Sequence, residues 1–291
     1  MMPFGDKFPE PQENSGSAEV DQRVSDVDTD IPVSGYNRQN VYALIIGNED
    51  YSSFQTDLNK EANALYALND ATIFKEYCIK TLGIPEKNIT FRTNATKGQM
   101  EQVIKKLTSI MEVTGGKAEF ILYYSGHGLP DEKNKEPYLI PVDISGSNIE
   151  GGIKLQDLYL NLTKYPSKRC TVFLDACFTG GARNESLLAL KSVRIKPKTS
   201  LISGNLLVFS SSSGEESSGV YKEKNHGLFT YFLLKELKET RGNLTYKELS
   251  DHIIEIVKLE SINVNEKSQT PQIQGSSVID NIWETWKLIE K

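Results

Sequence analysis

From Val41 onward, apolar blocks alternate with polar stretches in two different periods. Val41-Tyr42-Ala43-Leu44-Ile45-Ile46-Gly47 is a near-continuous apolar run, the pattern of a parallel strand covered on both faces. A helix is predicted from Asn69-Asp70, where Ala71, Phe74, Cys78 and Leu82 continue a three- and four-residue spacing begun at Leu65 and Leu68, and Gly83 stops it. Ile89-Thr90-Phe91 reads as a short strand. Thr96 then caps a helix carrying Met100, Val103, Ile104, Leu107, Ile110 and Met111 on one face. A second long apolar run, Ala118 to Tyr124, is followed by a polar loop at Asp131 to Glu136 and a short edge element at Tyr138 to Asp143. Leu155, Leu158, Tyr159 and Leu162 mark a third helix, leading to the strand Thr171-Val172-Phe173-Leu174. Leu206-Leu207-Val208-Phe209 is a further strand. Leu228 to Leu237 is an apolar, buried helix, and Thr245 with Glu248 makes a capping box for a last helix bearing Leu249, Ile253, Ile256 and Val257. Strands alternating with helices predict a mostly parallel α/β sheet.

Composition changes this picture little. The 291 residues are 38% hydrophobic and 25% charged, an ordinary globular balance that fits one large domain with a tail. A net charge of −6 argues against a nucleic-acid partner, and no stretch approaches the roughly 18 apolar residues of a membrane span. Residues 1–39, rich in Pro, Ser, Asp and Glu without a period, read as a disordered leader or linker, and 281–291 as a C-terminal tail. The leader lacks the apolar core of a secretory signal. The expectation is a cytoplasmic chain if Met1 is the natural start, and a secreted or periplasmic one if the sequence is an excised domain. Cys78, Cys170 and Cys177 show no metal spacing and are odd in number, against a disulfide framework.

Chemistry concentrates at two strand ends. In Thr171 to Gly181 polarity changes abruptly at Asp175, with Cys177 two residues later and a Gly180-Gly181 pair beyond, which places a thiol at the C-terminal edge of the sheet where ligands gather. A lone cysteine is more often an inert small hydrophobe. Fifty residues upstream, the other apolar run ends at Gly126-His127-Gly128, where glycines leave the imidazole uncovered. An imidazolium beside a thiol lowers its pKa and generates the nucleophilic thiolate. His226 precedes a buried helix and His252 sits within one, so both read as structural.

Tyr124-Ser125-Gly126-His127-Gly128 followed by Asp175-Ala176-Cys177 resembles the catalytic pair of the caspase-like cysteine peptidases, most closely the metacaspase and bacterial orthocaspase branch. The caspase signature is Gln-Ala-Cys-(Arg/Gln/Gly)-Gly with its histidine about 50 residues earlier. The spacing matches, whereas Asp175 stands where caspases have Gln and the glycines fall one place later. The resemblance covers about residues 40–275 and implies a caspase-like three-layer sandwich, α/β in class, with a mostly parallel central sheet of about six strands flanked by helices. The peptidase domain would span 40–280, with a large-fragment part at 40–182, a basic linker loop at 183–204 and a small-fragment part at 205–280.

In this reading Cys177 attacks a peptide carbonyl, His127 protonates the leaving amine, and the backbone N–H groups of Cys177 and Gly128 hold the oxyanion, as they do in the resembled family. Asp175, a carboxylate two residues before the nucleophile, would attract a substrate Lys or Arg. It would reject Asp by several kcal/mol, a discrimination of more than about a hundredfold. By resemblance to metacaspases, Asp70 of Leu68-Asn69-Asp70-Ala71 and Ser125 complete that pocket; spacing alone favours Asp70 as a helix cap, and Asp175 with the resemblance moves the pocket reading ahead. Ser211, Ser212 and Ser213 resemble the segment that pairs with an extended substrate, or form a solvated Gly-Ser loop.

The partners implied are peptide or protein substrates with a basic residue before the scissile bond. The loop carrying Lys191, Arg194, Lys196 and Lys198, with Arg183 at its start, offers self-processing sites; the alternative is a flexible loop cut incidentally. No cofactor is required. Many metacaspases need calcium, and Asp131, Glu132, Glu136 and Asp143 supply oxygens near His127, but without a Ca-loop spacing. The resemblance favours a monomer. The competing function is a catalytically silent caspase-like binding or signalling module, against which both Cys177 and His127 stand with their glycines. A Cys-dependent acyltransferase ranks lower because Asp70, Ser125 and Asp175 suit a basic side chain.

Overall fold

A computed structural model describes residues 24–178, 196–214 and 216–290. In chain order the elements are β1 (Val41–Gly47), α1 (Ala67–Lys80), β2 (Ile89–Thr93), α2 (Lys97–Thr114), β3 (Glu119–Ser125), β4 (Gly128–Pro130), β5 (Pro137–Leu139), β6 (Ile153–Lys154), α3 (Leu155–Leu162), β7 (Arg169–Asp175), β8 (Leu206–Ser210), β9 (Val220–Tyr221), β10 (His226–Gly227), α4 (Leu228–Thr240), α5 (Tyr246–Asn265) and β11 (Gln272–Gly275). Six strands form one sheet in the order β11-β8-β7-β3-β1-β2, parallel except for the antiparallel edge strand β11.

The apolar runs become the central strands because both faces are covered. Ala43 and Ile45 of β1, Tyr123 of β3 and Phe173 of β7 point into a core shared with α1, α4 and α5. The alternate residues Leu44, Ile46, Tyr124, Val172 and Leu174 point into a second core with α2 and α3. This is the three-layer caspase-like sandwich expected from the sequence. The short edge element expected at Tyr138 to Asp143 is met in part by β5, which lies in the small sheet β4-β5-β6; β4, β6, the β9-β10 sheet and the strand β11 are additions to that expectation.

Two ends of the chain depart from their expected roles. Of the stretch read as a leader, residues 24–39 pack on the domain: Val27 is fully buried, Tyr77 Oη donates to its carbonyl at 2.9 Å, and Lys224 pairs with Asp26 at 2.7 Å. Of the stretch read as a tail, Leu288 and Ile289 are buried and the Leu288 N–H donates to the Leu244 carbonyl at 2.9 Å. Both segments are held by scattered anchors without a repeating spacing, which a search for apolar periodicity passes over.

An ionic cluster ties both ends to the sheet at the edge opposite the strand C-termini. Glu119 receives Arg38 at 2.5 Å, Arg169 at 2.7 Å and Lys168 at 3.0 Å, and Arg169 also reaches Glu290 at 3.1 Å. Burial opposes ionisation of Glu119, but Arg169, Arg38 and Lys168 outweigh it and hold the carboxyl below its ordinary range. Glu119→Gln leaves two guanidinium groups short of their shared carboxylate and is expected to cost about 2 to 4 kcal/mol in denaturant unfolding at pH 7. A loss below about 0.5 kcal/mol would show that Glu290 alone suffices for Arg169.

Candidate active site

The parallel ladder between β3 and β7 pairs Ser125 with Asp175, so each strand leaves the sheet at the same level. His127 and Cys177 each follow two residues later. Alternation puts Ser125 and Asp175 on the face of Tyr123 and Phe173, which is the face covered by α1 and α4. The Gly126 N–H donates to the Asp175 carbonyl at 3.3 Å, joining the two strand exits. The register thus brings the residues that follow, His127 and Cys177, out of the sheet from neighbouring strand ends.

Glycine is required at both flanks of His127. Gly126 has φ +156°, and a Cβ there would lie 2.7 Å from Tyr124 Oη and 2.9 Å from the Asn48 carbonyl oxygen. A Cβ on Gly128 would lie 2.6 Å from the Phe178 ring and 3.0 Å from the Cys177 carbonyl oxygen, so the start of β4 lies directly against the segment that follows β7. Gly128 faces Leu139 across β5, and the bond beside it runs from Ile140 N–H to the His127 carbonyl at 3.0 Å. That places Gly128 at a non-hydrogen-bonded position of the antiparallel pair, and the β4-β5 ladder leaves its N–H uncommitted.

The imidazole of His127 is oriented by a loop that the sequence reading did not connect with the site. Its Nε2 is 2.8 Å from the Ala62 carbonyl oxygen, an atom that can only accept. Nε2 therefore carries the proton, and Nδ1 is the basic nitrogen of the neutral ring. The His127 N–H donates to Tyr51 Oη at 3.0 Å, the Tyr124 hydroxyl donates to the His127 carbonyl at 2.8 Å, and the Tyr51 and His127 rings lie 4.5 Å apart. No sequence signal marks Ala62, because it contributes backbone alone.

Cys177 is buried, and its thiol donates weakly to the Glu216 carbonyl at 3.8 Å. Glu216 is itself held by Thr270, whose N–H and hydroxyl donate to its carboxylate at 2.6 and 3.1 Å. Cys78 and Cys170 lie in the two cores, where burial raises both thiols, Cys170 to about 12. They are inert small hydrophobes at neutral pH.

Asp70, Ser125 and Asp175 converge beneath the first turn of α4. Ser125 Oγ donates to Asp70 at 2.9 Å, and the Gly227 N–H donates to the same carboxylate at 3.0 Å. Asp175 accepts from the Thr230 hydroxyl at 2.7 Å, the Thr230 N–H at 3.2 Å and the Ser218 hydroxyl at 2.9 Å. Two carboxylates thus face the N-terminus of α4, where its unpaired N–H groups and dipole favour negative charge. Asp70 lies within α1, whose N-cap is Tyr66, so it caps α4 from a neighbouring helix and not its own.

His226 is the second feature outside the sequence reading of the site. Its Nδ1 is 2.8 Å from Asp70 and its Nε2 2.7 Å from Asp28. Burial alone would depress this imidazole, but the hydrogen bonds and charges of Asp28 and Asp70 reverse that and lift it from 6.5 to about 9. A group raised on folding stabilises fully below its unfolded value and loses that contribution as pH climbs through its folded value. Stability relative to His226→Gln is therefore expected to fall between about pH 6.5 and 9, by on the order of 3 kcal/mol, in thermal melts. An unchanged difference across that window would mean that the ring is neutral in the fold.

The remaining expected residues are placed less uniformly. The Ser211 N–H is committed to the Leu174 carbonyl at 2.8 Å and its hydroxyl to the Ala176 carbonyl at 3.2 Å, so Ser211 is part of the sheet's extension and cannot offer that N–H to a ligand. Ser212 follows it, and Ser213 Oγ donates to Glu216 at 3.0 Å. Lys191 and Arg194 lie outside the described residues. Lys196 is exposed, and Lys198 is tied to the 131–136 loop through Glu136 at 3.0 Å. The acidic residues considered for calcium do not converge. Asp131 caps its own turn, Glu136 pairs with Lys198 and Lys154, and Asp143 accepts the Lys97 N–H. Among the described residues no group of three or more metal-ligating side chains forms.

Comparison with known proteins places this geometry. The chain resembles protein GSU0716 of Geobacter sulfurreducens, with a TM-score of 0.61 at 18% identity over 86% of this chain and 98% of that one. It also resembles caspase-1 of Spodoptera frugiperda, with a TM-score of 0.55 at 15% identity over 87% of this chain and 96% of that one. At these identities the likeness is one of fold. No curated protein sequence matches the chain significantly. The family model described as the caspase domain matches residues 40–282, and the chain belongs to that family of cysteine peptidases.

Proposed function

We propose that the chain is a cysteine endopeptidase that hydrolyses peptide bonds after Arg or Lys. The observation that carries this reading is the shared exit of β3 and β7: His127, with its Nε2 proton given to the Ala62 carbonyl, and Cys177 each follow by two residues a pair of strand-end residues in register. His127 Nδ1 takes the thiol proton, and the Cys177 thiolate attacks the carbonyl carbon. The oxyanion is received by the backbone N–H groups of Gly128 and Cys177. His127 then returns the proton to the leaving amine, and a water activated by the same ring hydrolyses the thioester.

The basic side chain of the substrate is read by the carboxylates of Asp175 and Asp70 with the Ser125 hydroxyl. Their common position beneath α4 supports a single pocket of negative charge. Extended substrate backbone pairs with Ser212 and Ser213, beyond the committed N–H of Ser211. For the substrate to reach Sγ, the Glu216 carbonyl must move off the thiol. The same specificity acts on the chain itself within 183–204, at Lys191, Arg194, Lys196 or Lys198.

The test is hydrolysis of matched fluorogenic peptides ending in Arg, Lys or Asp by the wild type and Cys177→Ala, with and without calcium, together with intact-mass measurement of both proteins. Turnover confined to Arg and Lys peptides, and a cut in 183–204, should both vanish in Cys177→Ala. Cleavage after Asp would overturn the pocket assignment. Silence on every peptide would favour a binding module, and a cut persisting in Cys177→Ala would exclude self-processing.

A further inference from the structure

His226 was read from the sequence as a structural histidine, yet its surroundings are unusual for one. Both ring nitrogens face carboxylates, Asp70 at 2.8 Å and Asp28 at 2.7 Å. A carboxylate is acceptor-only when ionised, so two such partners require a proton on each nitrogen. Asp70, His226 and Ser125 are fully buried, and the side chain of Asp28 is 14% exposed. The chain of contacts runs from the segment before β1, through β10, to α1 and the end of β3: Asp28 to His226, His226 to Asp70, Asp70 to Ser125.

We propose that Asp28, acting through His226, fixes the charge and orientation of Asp70 in the specificity pocket, making the segment before β1 a working part of the substrate site. The inference rests on the reading of Asp70 as a pocket residue. Asp28 and His226 are positioning residues, since neither is placed against the scissile bond. Asp28, His226 and Asp70 together carry one net negative charge. While Asp28 is ionised and bonded to Nε2, the imidazolium keeps its proton throughout the neutral range, and the pocket's charge does not vary with pH.

Removing the Asp28 charge changes that behaviour in a defined direction. In Asp28→Asn the imidazole retains only Asp70 as a carboxylate partner and titrates nearer its ordinary value. Below that value the His226–Asp70 pair is neutral overall, and above it the pair carries one negative charge. Recognition of a cationic side chain then weakens on acidification, which the intact network prevents. The other titratable groups nearby are Lys224, paired with Asp26 at 2.7 Å, Tyr231, whose ring lies 6.5 Å from that of His226, and Tyr77 on α1. Tyr77 and Tyr231 are raised mainly by burial, and Lys224 by its hydrogen bond to Asp26, so all three keep their protons across the neutral range.

The experiment measures inhibition constants of two peptide aldehydes, one ending in Arg and one in citrulline, between pH 6 and 8. Their ratio cancels the titration of Cys177 and His127, which both inhibitors share. In the wild type a ratio favouring Arg should stay constant within about twofold; in Asp28→Asn it should fall about tenfold from pH 8 to pH 6. Asp28→Glu should restore the flat profile. Histidine NMR titration should place His226 near 9 in the wild type and roughly 7 in Asp28→Asn. It also reports whether the variant is folded.

A flat Asp28→Asn ratio equal to that of the wild type, with His226 titrating lower, would overturn the inference, as would an unchanged His226 titration. A wild-type ratio near one at every pH would instead remove the pocket reading on which it stands.

Discussion

Replacing His127 by alanine is expected to lower kcat on an Arg-terminated peptide by roughly four orders of magnitude, with KM changed by less than about threefold. The size of the effect follows from the arrangement of the ring. Ala62 holds the Nε2 proton, Tyr51 receives the His127 N–H, and Tyr124 binds its carbonyl, so Nδ1 has one orientation and one protonation state available for proton transfer. The ring is held by Ala62 and Tyr51, whereas Asp70 and Asp175 are held by Ser125 and the first turn of α4, hence the expectation that the effect falls on kcat. Steady-state kinetics beside a thermal melt would check it. A loss of less than about tenfold would mean that another base takes the thiol proton.

The second large effect is expected from one methyl group. In Gly128→Ala the added Cβ would stand 2.6 Å from the Phe178 ring, closer than such atoms approach, and 3.0 Å from the Cys177 carbonyl oxygen, a tight contact. Phe178 is buried, so the strain is expected to be relieved by a shift of β4 away from the segment that follows β7. That displaces the Gly128 N–H from the position proposed for the oxyanion. A loss of one oxyanion donor corresponds to about 100- to 1000-fold in kcat, accompanied by about 1 to 3 kcal/mol of destabilisation from overpacking. Full activity in Gly128→Ala would exclude this N–H from the reaction. A stability loss with unchanged kcat would confine the glycine to a packing role.

The frame of the fold was legible because central parallel strands and amphipathic helices write themselves in apolar residues. β1, β3, β7 and β8 are covered on both faces and read as continuous runs, while the capping boxes at Thr96–Gln99 and Thr245–Glu248 mark the starts of α2 and α5. β11 was not legible, since an edge strand with Gln272 exposed and Gln274 half-covered carries no apolar run. β9 and β10 are two residues each and have no room for a period.

The two residues proposed as the catalytic pair were singled out by glycines and an abrupt change of polarity at two ends of strands that the structure places side by side. The orientation of His127 was not legible, because Ala62 contributes a carbonyl and Tyr51 lies in a loop before α1. The network around Asp70 joins residues 156 positions apart through His226 and Asp70, and 198 through His226 and Asp28. Only the fold brings such partners together, and an Asp-rich stretch around Asp26 and Asp28 reads as solvated until its partners are known.

The most direct test of the account is covalent trapping. The wild type would be treated with an acyloxymethyl ketone peptide ending in Arg, in parallel with one ending in Asp, and the adduct located by peptide mass mapping. A single adduct on Cys177, formed by the Arg reagent, absent with the Asp reagent and lost in His127→Ala, is the predicted result. Labelling of Cys78 or Cys170, or equal labelling of Cys177 by both reagents, would contradict it.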